Sequence, residues 1–438
     1  MAIAEPGDYA RVIHRLFDRT GGRIEPGLER TRALLAALGN PETKFPSFHV
    51  AGTNGKGSTC ATIDALLRAR LRNVGRYSSP HLVDFRERIV VNGVAIPEDR
   101  VLALLDVIEP TAQANDATFF EITTALAFAY FAEAGVHAAV IETGLGGLHD
   151  STNVLDPVVA TVTNVSLDHT EYLGSTLGEI AYEKGGIFKF GRPAIIGEPR
   201  ADLARLLIDR AVARGATPIE VVRSEWRSWS VAFAGGRTSF TAQTPYGEVR
   251  LATPLIGEHQ VRNTLTAIAS VHAAGSDFEL NPDQIKRALA TVRLPGRFQR
   301  SGDWIFDVAH NAAGARALAE TLAAVHPQRP LTVVLGVLKD KDWHGIITAL
   351  ADVADLFIIT QPPSAPTERA WSPIAAASYA NACKIPVDLA ADFNVALARA
   401  ESRPGTKVVA GSFHTVGDAM RQLRIDPLAT DPLVAASG

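Results

Sequence analysis

The sequence has few of the features that direct a protein to a membrane, an oxidising compartment or nucleic acid. Its two cysteines, Cys60 and Cys383, lie in separate halves without metal-type spacing, so we expect both to be reduced, structural residues rather than nucleophiles. There is no apolar run of about eighteen residues and no apolar N-terminal segment of signal-peptide length. The net charge of −4 provides no basic excess for nucleic acid. These absences predict a cytoplasmic protein without membrane or nucleic-acid partners.

The composition is that of a globular protein with more than one domain. A chain of 438 residues exceeds the roughly 150 residues of an ordinary domain, so we expect two or three domains. Hydrophobic residues at 47% and charged residues at 21% are the proportions found in soluble globular proteins. We find no internal repeat and no low-complexity segment.

Short apolar segments alternate with helical segments in the first two thirds of the chain, a pattern typical of a parallel sheet with helical crossovers. Two amphipathic helices are expected near 9–17 and 28–38, before the first strand. The next predicted strands are 74–77, 138–141, 158–165 and 194–196. Between about 220 and 255 the apolar and polar residues alternate with a period of two. This pattern predicts a small antiparallel β appendage with strands 229–234, 238–243 and 248–253. Helices at 261–274 and 282–291 follow.

A second α/β unit is expected after a predicted linker at 293–298, RLPGRF. Its predicted strands are 304–308, 331–335, 356–360 and 407–410, with a helix at 312–325 between the first two. No strand is followed by GxGxxG, which argues against a nicotinamide cofactor. The predicted fold is α/β, with a P-loop parallel-sheet ATPase domain carrying the antiparallel appendage at 1–293 and a C-terminal Rossmann-like α/β domain at 294–438.

The segment 48–58, FHVAGTNGKGS, has the chemistry of a phosphate-binding loop. Gly52, Gly55 and Gly57 let backbone N–H groups approach phosphate oxygens, and a helix expected to begin at Ser58 directs its positive end to the same place. Lys56 supplies a mobile cation for the outer phosphates. The spacing differs from the common P-loop, which has four residues between its glycines and a Ser or Thr directly after the lysine. A flexible glycine turn is the alternative.

Several ionisable residues are expected where parallel strands end. Glu142 ends the strand AAVIE and is placed to bind magnesium, while His169, beside Asp168, follows another strand. Taken alone, such a histidine is more often a hydrogen-bonded structural residue, and Lys184 in AYEKGGIFK would be an exposed helix lysine.

In the second unit, DVAHN (307–311) and DKDWH (340–344) follow strands in the same way. Both fall at the edge where open α/β sheets bind ligands. These two segments are therefore candidate ligand-binding loops.

Together these segments resemble one family. The motifs GTNGKGS, SSPHLVDFRERI, TFFEITTA, ETGLGG, SLDHTEYLG, EKGGI, HQVRN, PGRF, DVAHN, LGVLKDKD and GSFHTVGD occur here in the order and approximate spacing of the folylpolyglutamate synthase and dihydrofolate synthase enzymes of the Mur ligase superfamily. The resemblance spans roughly residues 9–425.

The resemblance implies ATP-dependent joining of L-glutamate to a folate-type carboxylate through an acyl phosphate, with ATP and Mg²⁺ as cofactors. Its substrates would be dihydropteroate or reduced folate and L-glutamate, and we expect both activities in a monomer. The alternatives are one activity alone, or a Mur-type amide ligase acting on another carboxylate.

Three other classes fit less well. A cell-wall Mur ligase would carry a UDP-binding domain before its phosphate loop, whereas 51 residues precede Gly52. A P-loop kinase or GTPase needs no second unit with DVAHN, and a catalytically inactive module would not retain Lys56, Glu142, His169 and Lys184.

The resemblance also assigns residues by role. Those implied to contact the nucleotide are Thr53, Asn54, Gly55, Lys56, Gly57, Ser58, Asn263, Arg297 and Asp307. Those implied to hold magnesium are Ser79, Glu142 and His169. Those implied to be catalytic are Lys56, His310 and Lys184, the last matching a lysine that is carbamylated in this family. Those implied to contact the pterin are Arg23, Ile24, Glu25, Pro26, Thr118, Phe120, His149, Asp150 and Ser151.

Two segments depart from the family pattern. Leu148 and His149 stand where the family usually has an arginine after the ETGLGG glycines and a leucine before the aspartate, so the pterin pocket should differ in detail. EKGGI replaces the usual EKAGI, and Gly185 is expected to add backbone freedom next to Lys184.

Overall fold

The described part of the chain forms three β-sheets of eight, three and six strands. A computed structural model describes residues 8–19, 25–223 and 226–428, and the statements below concern these residues. None of the helices within these ranges combines the length and apolar composition needed to cross a bilayer. The predicted fold class, α/β with a small antiparallel sheet and a C-terminal α/β unit, is confirmed.

The large sheet is parallel apart from two strands at one edge. Its strands are β1 (Ser47–Ala51), β2 (Val74–Tyr77), β3 (Ile89–Val91), β4 (Val94–Ala95), β5 (Ala138–Glu142), β6 (Val159–Val162), β7 (Ala194–Ile196) and β8 (Ile219–Val221). Their spatial order is β4-β3-β2-β5-β1-β6-β7-β8, with β3 and β4 antiparallel. β1 lies between β5 and β6, so the segments after these three strands meet at one edge of the sheet.

Helices cover both faces of this sheet. They are α1 (Asp8–Asp18), α2 (Glu29–Ala37), α3 (Lys56–Arg68), α4 (Glu98–Ala114), α5 (Phe119–Glu133), α6 (Thr170–Leu173), α7 (Leu177–Lys184), α8 (Ala201–Ala213), α9 (Glu258–Ala273) and α10 (Pro282–Leu289). Sequence signals explain where several begin. Thr118 and Glu121 form a capping box at α5, and Asn281 and Gln284 form one at α10, where Pro282 takes the first position.

The antiparallel appendage is a three-stranded meander of β9 (Ser228–Ala234), β10 (Arg237–Thr244) and β11 (Gly247–Thr253). The turn between β9 and β10 is Gly235-Gly236, and both glycines have positive φ. This is the backbone that a tight hairpin requires.

The third sheet and its helices form the C-terminal unit, as we call residues 299–428. Its strands are β12 (Gln299–Ser301), β13 (Trp304–Phe306), β14 (Leu331–Leu335), β15 (Leu356–Ile359), β16 (Val387–Leu389) and β17 (Thr406–Ala410), in the spatial order β12-β13-β17-β14-β15-β16. Its helices are α11 (Ala312–Val325), α12 (Trp343–Ala351), α13 (Pro373–Ala382), α14 (Phe393–Glu401) and α15 (Phe413–Gln422). All strand pairs are parallel except β12 with β13.

The structure corrects several sequence predictions. The strand expected at 158–165 ends at Val162, because the next residues bond to the phosphate loop instead of continuing the ladder. Five strands were not predicted: β3, β4, β8, β12 and β16, each of two or three residues at or near a sheet edge. The cysteines are both free, but Cys383 is exposed, so only Cys60 has the structural, buried position expected.

Candidate active site

The phosphate loop follows β1 and requires glycine at two positions. A Cβ on Gly52 (φ +153°) would overlap Thr163 Oγ1, and one on Gly55 (φ +80°) would lie 2.5 Å from Asn263 Oδ1. Both φ values lie in the region that glycine favours. α3 begins at Lys56, two residues before the predicted Ser58, so the lysine is part of the first helical turn. The loop therefore brings Lys56 and Asn263 to the same place.

Hydrogen bonds from the end of β6 hold the loop. Asn54 donates its backbone N–H to Asn164 Oδ1 at 3.0 Å, and its carbonyl accepts from Thr163 Oγ1 at 2.6 Å and Asn164 Nδ2 at 2.8 Å. Thr53 exchanges two bonds with the backbone of Ser166, at 3.0 and 3.1 Å. Sequence reasoning missed Thr163 and Asn164, whose contact with the loop depends on the β1–β6 pairing.

Lys56 lies across the loop and Glu142 faces it. Lys56 Nζ donates to the carbonyls of Gly52 at 3.0 Å and Thr53 at 3.3 Å. Glu142 is buried at the end of β5, and a Cβ on Gly57 would lie 3.7 Å from its Oε2. Burial raises the pKa of Glu142, and the charges of Lys56 and Arg297 and the N–H of Ser79 oppose this rise. The structure thus brings Lys56, Ser79 and Arg297 around the carboxylate of Glu142.

The oxygen donors at this place suit Mg²⁺. Among the residues that the structure describes, no three His, Cys, Asp or Glu side chains are grouped as a metal site. Mg²⁺ is usually held by one or two carboxylates together with substrate phosphates, rather than by an all-protein cage. A single buried carboxylate, Glu142, beside a phosphate loop fits that arrangement, and the hydroxyls of Ser58 and Ser79 could add hard oxygen ligands.

His169, the third residue assigned to the metal, faces a lysine in this structure. Its Nε2 lies 3.1 Å from Lys341 Nζ, and burial together with the charge of Lys341 lowers the pKa of His169 to about 4. The backbone of His169 is left-handed, with φ 49° and ψ 42°, an uncommon conformation for a residue other than glycine. The ring is therefore neutral at physiological pH and held in a defined position.

Asp168 connects the large sheet to the C-terminal unit. Its Oδ1 accepts from Lys341 Nζ at 2.6 Å, and its Oδ2 accepts from Asn311 Nδ2 at 3.1 Å and lies 3.5 Å from His310 Nε2. Asn311 also exchanges two hydrogen bonds with the side chain of Asn54, at 3.1 and 3.4 Å. Although burial opposes it, bonding to His310 and the charge of Lys341 keep the pKa of Asp168 well below its usual range. Asp168 thus joins the segment after β6 to the C-terminal unit, and Asn311 joins the phosphate loop to the same unit.

The sequence prediction contained only part of this cluster. His310 was assigned as catalytic, but Asp168, Asn311 and Lys341 were not assigned any role. Their motifs, SLDH, DVAHN and LKDKD, were the available signal. Only the packing of two sheets shows that these three motifs meet.

We expect the Asp168–Lys341 pair to be energetically coupled across the two units. Both side chains are buried, so Asp168→Asn or Lys341→Met leaves one buried charge unpaired, and each should lower the rate of ligation strongly. The free-energy loss of the double variant should be smaller than the sum of the losses of the two single variants. A double-mutant cycle on kcat/KM should give a coupling of about 1–3 kcal/mol. The exposed pair Arg399–Asp388 within the C-terminal unit is the matched control and should show at most about 1 kcal/mol. Additive effects at 168 and 341 would contradict the coupling.

Two further residues assigned to the nucleotide lie on the C-terminal side. Arg297 is half-buried, and its guanidinium carbon lies 5.4 Å from the ring centre of Phe413. Asp307 accepts from the backbone N–H of Phe298 at 2.9 Å and of Ala309 at 3.0 Å. Burial lowers the pKa of Arg297 and raises that of Asp307, and each charge opposes the shift of the other. The bond from Phe298 N–H to Asp307 aligns the segment before β12 with the end of β13.

Lys184 is buried, at 3% exposure, so the reading as an exposed helix lysine is wrong. Burial, and then the charge of Lys56, lower its pKa to about 7. A second ammonium beside Lys56 is electrostatically unfavourable, whereas a carbamate on Lys184 would carry the opposite charge. A neutral amine at physiological pH is also the form that reacts with CO₂. The surroundings therefore suit the carbamate that the family resemblance implies.

Gly185 next to Lys184 does not use the backbone freedom that was expected. Its φ of −67° and ψ of −5° are ordinary helical values. The reason for glycine is space, since a Cβ would lie 2.6 Å from Arg210 Cγ, and the guanidinium of Arg210 stacks 3.6 Å above the ring of Tyr182. The change from EKAGI to EKGGI thus accommodates an arginine.

Lys184→Ala is expected to lower ligation at least about 100-fold, and acetate or propionate to restore part of the rate by supplying the missing carboxylate. Restoration by acetate but not by methylamine would distinguish a carbamate from an ammonium. An unmodified Lys184 ammonium in an ATP-bound crystal at neutral pH would contradict the carbamate.

The lowered pKa of Lys184 also predicts a pH-dependent stability. Since the unfolded value is about 10.4, the unfolded chain binds more protons between about pH 7 and 10. The buried lysine therefore lowers the free energy of unfolding by its full amount below about pH 7, and this loss disappears toward pH 10. In CO₂-free buffer, Lys184→Met should raise Tm more at pH 6.5 than at pH 9, while the exposed Lys286→Met should show no such trend.

The residues assigned to the pterin fall into three places. Arg23 and Ile24 lie outside the described residues, and Glu25 forms a 3.0 Å ion pair with Arg30 while Pro26 is exposed. Thr118 caps α5. Phe120 packs on the ETGLGG loop, where a Cβ on Gly144 would overlap its ring.

The last three of these residues differ in exposure. His149 is exposed, whereas Asp150 and Ser151 are buried. Asp150 accepts from the backbone N–H groups of Leu145 at 2.8 Å and Thr152 at 3.0 Å, so its carboxylate shapes the loop. A direct role of Asp150 in substrate contact stays a prediction.

Comparison with known proteins gives consistent results. Models of the Mur ligase middle domain and of the Mur ligase glutamate ligase domain match residues 50–271 and 296–413. A Mycobacterium tuberculosis protein named dihydrofolate synthase/folylpolyglutamate synthase is 40% identical over 370 residues, covering 77% of this chain and 74% of that protein.

Solved structures agree over nearly the full length. M. tuberculosis folylpolyglutamate synthase complexed with ADP superposes with a TM-score of 0.86 at 36% identity, covering 97% of this chain and 99% of that one. A bifunctional folylpolyglutamate synthase/dihydrofolate synthase from Yersinia pestis, complexed with AMPPNP and Mn, gives a TM-score of 0.83 at 32% identity over 95% and 98% of the two chains.

Proposed function

We infer the reaction of this chain from its family and its site: it belongs to the dihydrofolate synthase/folylpolyglutamate synthase family of the Mur ligase superfamily, and it is an ATP-dependent acid–amino acid ligase. We propose that it joins L-glutamate both to dihydropteroate and to reduced folates. The observation that carries this proposal is the convergence of Lys56, Glu142 and Arg297 at the phosphate loop.

The chemistry requires activation of a carboxylate. The substrate carboxylate attacks the γ-phosphorus of ATP, ADP leaves, and an acyl phosphate remains. The amine of glutamate then attacks the acyl carbon, phosphate leaves, and the amine loses a proton. Lys56 and Arg297 are placed to neutralise charge that develops on the transferred phosphoryl group. Bound at Glu142, Mg²⁺ would add charge neutralisation at the phosphates.

The second unit would complete the site. Arg297 reaches the vicinity of Glu142 from the C-terminal side. Asp168 accepts from Lys341 and Asn311, and Asn311 also bonds Asn54. Such contacts would shield the acyl phosphate from water while glutamate attacks. His310, which lies against both Asp168 and Phe413, is proposed to act near the incoming amine.

We expect Arg297→Ala to weaken ATP binding about tenfold or more without unfolding the large sheet, because it removes a half-buried cation opposite Glu142. Isothermal titration with AMPPNP measures the affinity, and circular dichroism checks the fold. The exposed Arg205→Ala on α8 is the control. An unchanged affinity would remove Arg297 from the nucleotide site.

The decisive experiment traps the activated carboxylate. Purified protein with ATP and Mg²⁺ is offered dihydropteroate or tetrahydrofolate, with hydroxylamine in place of glutamate. Each substrate should yield a hydroxamate, identified by mass, and glutamate should then yield the amide product. Hydroxamate from one substrate alone would indicate a single activity, and none from either would contradict the ligase.

Domain organisation, oligomeric state and location complete the proposal. We propose domains at 1–293 and 294–438, a boundary that the two family matches leave between them. We propose that the protein is a monomer. A cytoplasmic location is proposed because ATP and reduced thiols are found there.

A further inference from the structure

Three buried polar side chains connect the strand of the phosphate loop to the loop after β5. His49 Nε2, on β1, lies 2.7 Å from Thr152 Oγ1, and Thr152 Oγ1 donates to Asp150 Oδ1 at 2.5 Å. His49 and Thr152 are fully buried and Asp150 is 6% exposed. No step of the proposed reaction uses His49 or Thr152.

The number of protons determines the direction of these bonds. Asp150 accepts from the backbone N–H groups of Leu145 and Thr152 as well as from the Thr152 hydroxyl, as expected of an ionised carboxylate. Thr152 has one hydroxyl proton and uses it on Asp150. It must therefore accept from His49, which places the ring proton on Nε2.

Among the described residues, the His49 ring makes its hydrogen bond through Nε2 and none through Nδ1. Nδ1 is buried and has no hydrogen-bond partner among the described residues. Burial, and then the charge of Lys189, lower the pKa of His49 to about 3, so the ring is neutral. An apolar side chain would avoid the cost of a buried, unpaired nitrogen. What histidine provides at position 49, and an apolar side chain would not, is the Nε2 donor.

The loop that these bonds hold is 144–153. It carries His149–Ser151 and packs Gly144 against Phe120. Its far end is tied separately, because Asn153 Nδ2 donates to Leu148 O at 2.9 Å and Lys189 Nζ donates to Asn153 O at 2.9 Å. β1, in turn, leads directly into the phosphate loop and pairs with β5 at Val50 and Glu142.

We propose that His49 is a positioning residue: through Thr152 and Asp150 it holds the loop 144–153 in register with the phosphate-loop strand. The pterin-type substrate is thereby placed with its carboxylate toward the γ-phosphate. This inference rests on the proposed function, because it takes the loop to contact the substrate. If His49 were only a core residue, its loss would lower stability without a selective effect on one substrate.

Thr152→Val and Thr152→Ser test the inference. Valine keeps the shape and removes the hydroxyl, and it should raise KM for dihydropteroate about tenfold or more while KM for ATP changes less than twofold. Serine keeps the hydroxyl and should restore KM to within about threefold of the wild type. Thr321→Val, which removes a buried hydroxyl from α11, is the control and should leave both KM values unchanged. Equal increases in KM for dihydropteroate and for ATP, or no change in either, would overturn the proposal.

The tautomer of His49 gives a second test that needs no turnover. In ¹⁵N-histidine-labelled wild-type protein, the resonance lost in His49→Gln should show a proton on Nε2 and none on Nδ1 between pH 5.5 and 8. A proton on Nδ1 would overturn the proposal even if the Thr152 variants misfold. A wild-type protein that forms no hydroxamate would contradict the ligase function instead, and the tautomer would still report on the three-residue connection.

Discussion

Lys56→Met is expected to lower the rate of hydroxamate formation about 10²–10³-fold, equivalent to roughly 3–4 kcal/mol in the barrier. Lys56 Nζ is held over the loop by the carbonyls of Gly52 and Thr53, and its charge is one of those that act on Glu142. Methionine keeps the length of the side chain and removes its charge. The loss should appear in kcat, because the charge that Lys56 neutralises develops in the transition state.

Trapping in place of full turnover isolates phosphoryl transfer from the later attack by glutamate. Lys286→Met, an exposed lysine on α10, controls for the substitution and should trap at the wild-type rate. If Lys56→Met traps within about threefold of the wild type at saturating ATP, the phosphate loop does not act as assigned here.

Glu142→Gln is expected to lower turnover by about 10² or more while leaving the fold intact. The amide has the size of the carboxylate but lacks the negative charge that a hard cation requires. Burial raises the pKa of Glu142, and the charges of Lys56 and Arg297 oppose this rise and so favour its ionised form. The variant should therefore need much more Mg²⁺ for half-maximal activity.

The measurement is a Mg²⁺ titration of ATP-dependent hydroxamate formation, repeated with Mn²⁺. Circular dichroism and Tm confirm that the sheet survives, since glutamine can still accept the backbone N–H of Ser79. Glu248→Gln, on the exposed side of β11, is the control. Wild-type turnover with an unchanged Mg²⁺ requirement would place the metal elsewhere.

Much of the fold could be predicted because its signals are local. Buried parallel strands are apolar runs, the antiparallel appendage alternates with period two, and helices begin at recognisable caps such as Thr118 and Asn281. The short edge strands β3, β4, β8, β12 and β16 could not, because two or three residues carry too little periodicity. Their pairing depends on the neighbouring strand.

The individual side chains of the site were predictable to different degrees. Glu142 ends β5 and Lys56 begins α3 shortly after β1, and the rule that parallel strands share an edge brings these two segments together. Lys184 was ambiguous, since nothing in AYEKGGIFK distinguishes a buried lysine from an exposed one. Its burial results from packing beneath the ETGLGG loop, where Leu148 N–H donates to Glu183 O at 2.9 Å.

The sequence by itself determined the α/β class, the phosphate loop and, through eleven ordered motifs, the family. Only the tertiary structure decided that Asp168 bonds Lys341, 173 positions later, and that His49 bonds Thr152. The physical reason is that a buried charge or ring nitrogen is satisfied by whichever partner the packed sheets bring within about 3 Å. A local pattern specifies the donor or acceptor, whereas the three-dimensional arrangement specifies its partner.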